Sequence, residues 1–392
     1  MYIDLDAVSS NVRQLKAFIG EKVHLMAVVK ANAYGHGMLE IARTALSSGA
    51  TWLGVASLDE ALILRRQLSK DIHILVLGYV PPQHLQLASQ FGITVTGISL
   101  QWVQEANRIV QEPINIHLKI DTGLNRVGCK TIEEVLAVLK IVSLNPNLNV
   151  SGVFTHFATS DDLNNRTYFL WQLARFNEFL EIIPNRTEKI IHCANSDAIL
   201  YQVEKPFFNM VRSGKALMGP PDPALEHLLP FHMQTAMSLH STIGLVKQLN
   251  ASENIGYGGT YTTTDTEWIG TVPIGYADGW HQNFKATGVL VEGKRFPIIG
   301  RISMDQLMIR LDQKYPVGTR VTFIGQQGKE TITVNDVAQY ANVPMQEVFC
   351  SLTSRVPRIY KQNVSIISGE NAFFKSFNLK QTVLKFKTNE RK

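Results

Sequence analysis

Short, nearly continuous apolar runs recur along the first 220 residues or so, and each is followed by a polar break or a stretch of helical periodicity. The runs are HLMAVV (24–29), WLGVA (52–56), ILVLGY (74–79), ITVTGI (93–98), INIHLKI (114–120), VSGVFTHF (150–157), KIIHCAN (189–195) and NMVRSGKAL (209–217). Between them, MLEIARTALSS (38–48), SLDEALILRRQL (57–68), TIEEVLAVLKIV (131–142) and NRTYFLWQLARFNEFLEII (165–183) space their apolar residues three and four apart. In the third, this spacing puts Ile132, Val135, Leu136, Leu139 and Val142 on one face. Apolar strands alternating with helices specify a parallel sheet covered by helices. Eight such units predict a (βα)8 barrel, although an open doubly wound sheet has similar local signals. The polar residues favour the barrel. Lys30, Arg126, His156, Asn195 with Ser196, and Arg212 all sit at or just past a run. The C-terminal ends of barrel strands converge on one mouth, where catalytic groups belong.

After about residue 230 the pattern changes to short strands broken by glycine turns, as in TEWIGTVPIGYADG, GVLVEGKRFPIIGR and GTRVTFIG. VEGKRF reads as a hairpin with a two-residue Gly-Lys turn. The chain therefore divides into an N-terminal (βα)8 barrel over 1–232, a mainly-β C-terminal domain over 233–368, and a basic extension over 369–392.

Composition narrows the function classes. At 45% hydrophobic and 18% charged, the chain is an ordinary globular protein, and its net charge of +5 is too dilute to mark a nucleic-acid surface. The N-terminus has no apolar signal core and no window sustains a membrane-length run, so neither a membrane nor a nucleic-acid partner is expected. Cys129, Cys193 and Cys350 are far apart without metal-ligand spacing. That argues against zinc or a disulfide framework and fits a cytoplasmic protein.

Lys30 ends the buried run MAVVKANAYGHG (26–37) on an ammonium group. On local pattern alone it reads as a strand-end lysine whose stem packs while its charge reaches water. A wider resemblance changes that. AVVKANAYGHG, HLKIDTGLNRVG, GVFTHFAT, HCANSDA, NMVRSGKALMG, IGYGGTY, IGYADGW and GRISMDQ resemble the signatures of bacterial alanine racemases, in that family's order and approximate spacing.

The resemblance implies a pyridoxal 5′-phosphate (PLP) enzyme, a homodimer whose active sites are shared between subunits. It implies interconversion of L- and D-alanine, supplying D-alanine for peptidoglycan. An α-carbon is a feeble acid without an electron sink, which PLP provides. A lysine must hold that sink with an amine kept neutral enough to attack, and Lys30 matches it. Two faces call for two proton-transfer groups. Lys30 serves one, and Tyr257, reaching in from the second subunit, matches the other. A tyrosine with a pKa near 10 is a poor base unaided, and His156 and Arg212 match its hydrogen-bonding relay. Arg212 also matches the residue facing the ring nitrogen, which a guanidinium leaves unprotonated. Arg126 matches the arginine on the cofactor phenolic oxygen and substrate carboxylate. Lys119 matches a lysine commonly carbamylated, an anion able to orient Arg126. Tyr34 and Ser196, with the backbone amides of Gly214 and Lys215, match the phosphate site, and Asn195 adjoins it. Met304 and Asp305 match the loop that binds substrate carboxylate and shapes the entrance from the partner subunit, and Tyr276 matches an entrance gate.

The sequence departs from the family in places. Lys215 and Met218 stand where an apolar residue and a tyrosine are common, and Lys215 would add positive charge near a phosphate. Ser354 replaces a common tyrosine. Gln346 replaces an inner-gate tyrosine where serine-acting relatives carry asparagine. That substitution makes a serine or broader-specificity amino-acid racemase the alternative expectation.

Overall fold

The computed structural model describes residues 1–220 and 223–370. The expected basic extension lies, from residue 371 on, outside the described residues. Two compact units are present, one of Ala7–Ala33 and Met38–Gln234, the other of Met1–Asp6, Tyr34–Gly37 and Thr235 onward.

The first unit is the eight-stranded parallel barrel, formed by β1 (His24–Val28), β2 (Trp52–Val55), β3 (His73–Val76), β4 (Thr94–Gly97), β5 (Ile114–Lys119), β6 (Leu148–Phe154), β7 (Ile190–His192) and β8 (Met210–Ser213). It closes by pairing β8 with β1, His24 opposite Met210 and Ala27 opposite Ser213. The open-sheet alternative is thereby excluded. Serine or threonine starts three of the covering helices. Ser57 accepts from the Glu60 amide, Ser99 from the Trp102 amide, and Thr131 forms a reciprocal capping box with Glu134.

Several local expectations are corrected. The helix Ile132–Leu144 buries Val135 and Val138, while Ile132 and Leu136 are exposed. This helix is apolar on most of its circumference, so periodicity alone does not select the buried face. β6 begins at Leu148 and stops at Phe154, leaving His156 beyond the strand. β7 stops at His192 because the Asn195 side chain caps the helix Ser196–Tyr201. β8 stops at Ser213, and Lys215–Leu217 form a 3-10 turn.

The second unit is mainly β. Its larger sheet includes Met237–Thr242, Arg320–Gln327 and Arg358–Gln362, and the N-terminal strand Tyr2–Asp4 pairs between the first and last of these. Its second sheet contains Leu245–Leu249, Glu267–Val272, Leu307–Leu311 and Ile298–Ile299. In the hairpin of Val289–Val291 and Lys294–Phe296, Val291 pairs with Lys294. The turn is therefore Glu292-Gly293, at φ 48 and 75, rather than Gly-Lys. Both residues have positive φ, as the primed turn that joins right-twisted strands requires.

Candidate active site

Side chains along a strand alternate between faces, so His117 and Lys119 of β5 lie on one side of the barrel wall. This interior carries polar chemistry built around Arg212, which is 4% exposed. One guanidinium nitrogen of Arg212 donates to His192 Nδ1 (2.9 Å). The other donates to Thr155 O (2.9 Å), Cys193 O (3.0 Å) and His156 Nδ1 (3.0 Å). Every one of these acceptors is neutral, and burial pushes Arg212 down to about 10, still ionised at neutral pH. The Phe154 ring stacks on His192 at 4.6 Å and 3°, and lies 5.4 Å from Arg212 and 5.3 Å from Lys119.

These bonds fix the histidine tautomers. An imidazole nitrogen that accepts from arginine bears no proton, so His192 carries its hydrogen on Nε2. It donates that hydrogen to His117 Nδ1 at 2.9 Å, so His117 carries its own on Nε2. Burial first, then His73 and Arg212, holds His117 down to about 3, and burial with Arg212 holds His192 well below the usual range. By the same logic His156, accepting on Nδ1, presents an N–H at Nε2. Burial, then the charges of Arg212, Lys119, Arg126 and Lys30 in that order, keep it neutral.

Lys30, Lys119, Arg126 and Arg212 thus gather around one neutral histidine. Lys119 is 3% exposed and donates to Ile120 O at 2.9 Å. Burial and Arg212 push its amine down to about 7. Arg126 stands exposed on a loop closed by the bond from the Asp121 amide to Cys129 O (2.9 Å). The Asp121 carboxylate accepts from the Gly123 and Asn125 amides, both at 3.0 Å. Gly128 closes the loop at φ +129, and a Cβ there would meet the Asp121 nitrogen at 2.6 Å.

The segment after β1 turns through left-handed backbone. Ala31, Asn32, Ala33 and Tyr34 all adopt left-handed helical backbone, at φ 51, 54, 53 and 52. Each such residue costs roughly 1–2 kcal/mol relative to the right-handed form. The surroundings hold the turn in place. The Glu60 carboxylate accepts from the Ala31 amide (2.7 Å) and from the Ala56 amide (2.8 Å), and Asn32 Oδ1 accepts from the Met38 amide (2.7 Å).

A polar cradle lies past β7 and β8. Ser196 Oγ accepts from the amides of Gly214 (3.2 Å) and Ala216 (3.4 Å). Asn195 Oδ1 accepts from the Ala198 amide and the Ser160 hydroxyl. Lys215 does not offer the free charge expected of it, because its Nζ lies 2.7 Å from Asp197 Oδ1.

The remaining candidates lie in the second unit. Burial, then Cys350, pushes the Tyr34 phenol up to about 12. Tyr257, 72% exposed, stands on a glycine loop beside a groove of about 710 Å³. Tyr276 and Met304, also exposed, sit on loops joined by the bonds Tyr276 N–Ser303 O (3.1 Å) and Ala277 N–Met304 O (3.0 Å). Asp305 accepts from Arg355 at 2.6 Å, and Gln346 is half-buried in the helix Met345–Ser351.

Sequence reasoning missed Glu60, His117, His192, Gln172 and Asp197. The period-two spacing of His117 and Lys119 was a usable signal for the first histidine. Nothing local marks Gln172, which is fully buried and whose Oε1 accepts from the Ala158 amide (2.8 Å) while its Nε2 donates to His156 O (3.4 Å).

The same architecture occurs in solved amino-acid racemases. A Bacillus anthracis alanine racemase with bound L-Ala-P is 40% identical with a TM-score of 0.90, covering 95% of this chain and 97% of its own. A histidine racemase from Leuconostoc mesenteroides subsp. sake is 31% identical with a TM-score of 0.84, covering 92% and 97%. Fold and site together define the class, a two-domain amino-acid racemase. Sequence narrows it further. Residues 3–222 match the alanine racemase N-terminal domain and 236–360 the alanine racemase C-terminal domain. Alanine racemase 1 of Bacillus subtilis (strain 168) is 49% identical over 371 residues, 94% of each chain. The chain belongs to the alanine racemase family.

Proposed function

We propose that the chain interconverts L- and D-alanine with PLP as cofactor, as a homodimer in which Tyr257 of the partner subunit completes each barrel mouth. The observation that carries this reading is the gathering of four cationic side chains around neutral His156. Cationic groups of this kind attract anions, and a phosphorylated cofactor with an amino-acid carboxylate supplies them. The residues also fit the group. The Ser196 hydroxyl, with the backbone amides of Gly214 and Lys215, would suit a phosphate, with Tyr34 as its further ligand, and the buried Arg212 would suit a ring nitrogen.

When bound, PLP supplies the electron sink that makes the α-hydrogen acidic. The chain's own groups do the rest. Lys30 anchors the cofactor through its amine and moves the proton on one face of the α-carbon. Arg212 would donate a hydrogen bond to the ring nitrogen without surrendering its proton, which would leave that nitrogen unprotonated and moderate the sink. The neutral His156 carries a proton on Nε2, and a hydrogen bond from it to the Tyr257 oxygen of the partner subunit would favour the phenolate that serves the opposite face. Arg126 binds the carboxylate. The neutral fraction of Lys119 would attack CO2; an N–C bond forms as a C–O π bond opens, the nitrogen loses a proton to the buffer, and the carbamate anion offsets the Arg212 and Arg126 charges that act on this amine. Met304 and Asp305 shape the entrance, and Tyr276 and Gln346 line its gates.

The large exposed Tyr257 and Met304 side chains support a second subunit covering this face. D-alanine from a cytoplasmic enzyme of this kind would feed peptidoglycan synthesis. No helix among the described residues is long and apolar enough to cross a membrane. The test is incubation of the purified protein with L-alanine, with and without PLP, followed by chiral separation. The expected result is PLP-dependent conversion to a near-equal mixture. Absence of D-alanine while another amino acid racemises would overturn the substrate assignment.

A further inference from the structure

The barrel mouth holds a second, ionic cross-tie beside the phosphate cradle. Ser196 and Asp197 begin one helix, and Gly214, Lys215 and Ala216 form the turn after β8. Ser196 Oγ binds the amides of Gly214 and Ala216, while the residue next to Ser196 and the residue between those glycine and alanine amides form an ion pair at 2.7 Å. The Asp197 and Lys215 side chains are only 10% and 21% exposed. The same two segments are therefore tied twice, once through the cradle and once through charge.

The electrostatic consequence concerns the ligand. A phosphate monoester brings a charge of about −1.5 to −2, and Asp197 would repel it from the adjoining position. Burial raises the Asp197 carboxyl above the usual range, the Asp161 charge adds to that, and the Lys215 ammonium opposes both. We propose that Lys215 is a positioning and charge-compensating residue that allows Asp197 to brace the cradle without repelling the cofactor phosphate. This rests on the PLP reading above. Lys215 acts through Asp197 and not as a direct phosphate ligand.

The experiment measures the dissociation constants of PLP and of pyridoxal, which lacks the phosphate, by spectroscopic titration of protein taken from the holoenzyme. Four variants are compared with wild type: Lys215→Met, Lys215→Arg, Asp197→Asn, and the double variant. One uncompensated charge acting over several ångströms predicts roughly tenfold weaker PLP binding in Lys215→Met. Pyridoxal affinity should be unchanged. Lys215→Arg keeps the pair and should match wild type, and Asp197→Asn should bind PLP at least as tightly as wild type. The double variant should recover to within about threefold of wild type. Circular dichroism establishes that each variant is folded, and Asp197→Asn with the double variant decide the matter if Lys215→Met is not.

Equal losses for PLP and pyridoxal in Lys215→Met would overturn the proposal in favour of a merely structural pair. A double variant as weak as Lys215→Met would overturn it in favour of direct phosphate contact. A wild-type protein that binds pyridoxal as tightly as PLP would instead overturn the phosphate assignment itself.

Discussion

Lys119 stakes a measurable amount of stability on pH. In the unfolded chain its amine holds a proton up to 10.5, whereas in the fold burial and Arg212 bring that value to about 7. The difference corresponds to about 5 kcal/mol against the charged form. Between those values the unfolded chain binds about one more proton than the folded chain, so stability rises with pH across the window. Below pH 7 both states are protonated and the full penalty applies; above 10.5 it vanishes. The perturbation is Lys119→Met, which keeps much of the stem and removes the amine. Working from the same two values, wild type should lose about 2 kcal/mol relative to the variant between pH 9 and pH 7. Urea denaturation in CO2-free buffer, followed at half-unit pH steps, reads this as a widening gap between the two stabilities. Added bicarbonate should stabilise wild type near pH 8 and leave the variant unchanged, because only wild type forms the carbamate. Parallel pH profiles would refute the claim that this amine is buried and poised to be neutral.

Two further substitutions probe how the mouth is built. Gly128→Ala places a Cβ 2.6 Å from the Asp121 nitrogen at a φ of +129; calorimetry should show a loss of about 2–4 kcal/mol. Displacement of Arg126 should raise the KM for alanine more than it lowers kcat. Glu60→Gln replaces the charged acceptor of the Ala31 and Ala56 amides. It should cost about 1–2 kcal/mol and reduce kcat, while leaving the far-UV circular dichroism of the barrel unchanged.

The barrel was legible because parallel strands are buried on both faces and so read as continuous apolar runs. Lys30, just past β1, and Arg212, near the end of β8, stand where those runs place them. What escaped depends on tertiary context. The face of Ile132–Leu144 was misjudged because Ile132 and Leu136 are as apolar as the buried Val135 and Val138. The left-handed turn from Ala31 to Tyr34 breaks the local conformational preference of alanine, and the Glu60 carboxylate that holds it comes from another helix. The strand Tyr2–Asp4 is too short to announce itself, and its partners Met237–Thr242 and Arg358–Gln362 lie over two hundred residues away. The pairing of Lys215 with Asp197 likewise joins residues whose proximity only the fold creates. Where the site departs from local rules, the residues that compensate come from elsewhere in the chain.

The central claim is that Lys30 and Tyr257 serve opposite faces of the same α-carbon. It is tested most directly by following α-hydrogen exchange in deuterated water for each alanine antipode separately, using holoenzyme of wild type and of Tyr257→Phe. The variant should lose racemisation by a factor on the order of 10²–10⁴, while exchange persists from one antipode and is lost from the other. Equal loss of exchange from both antipodes, or racemisation within tenfold of wild type, would contradict it.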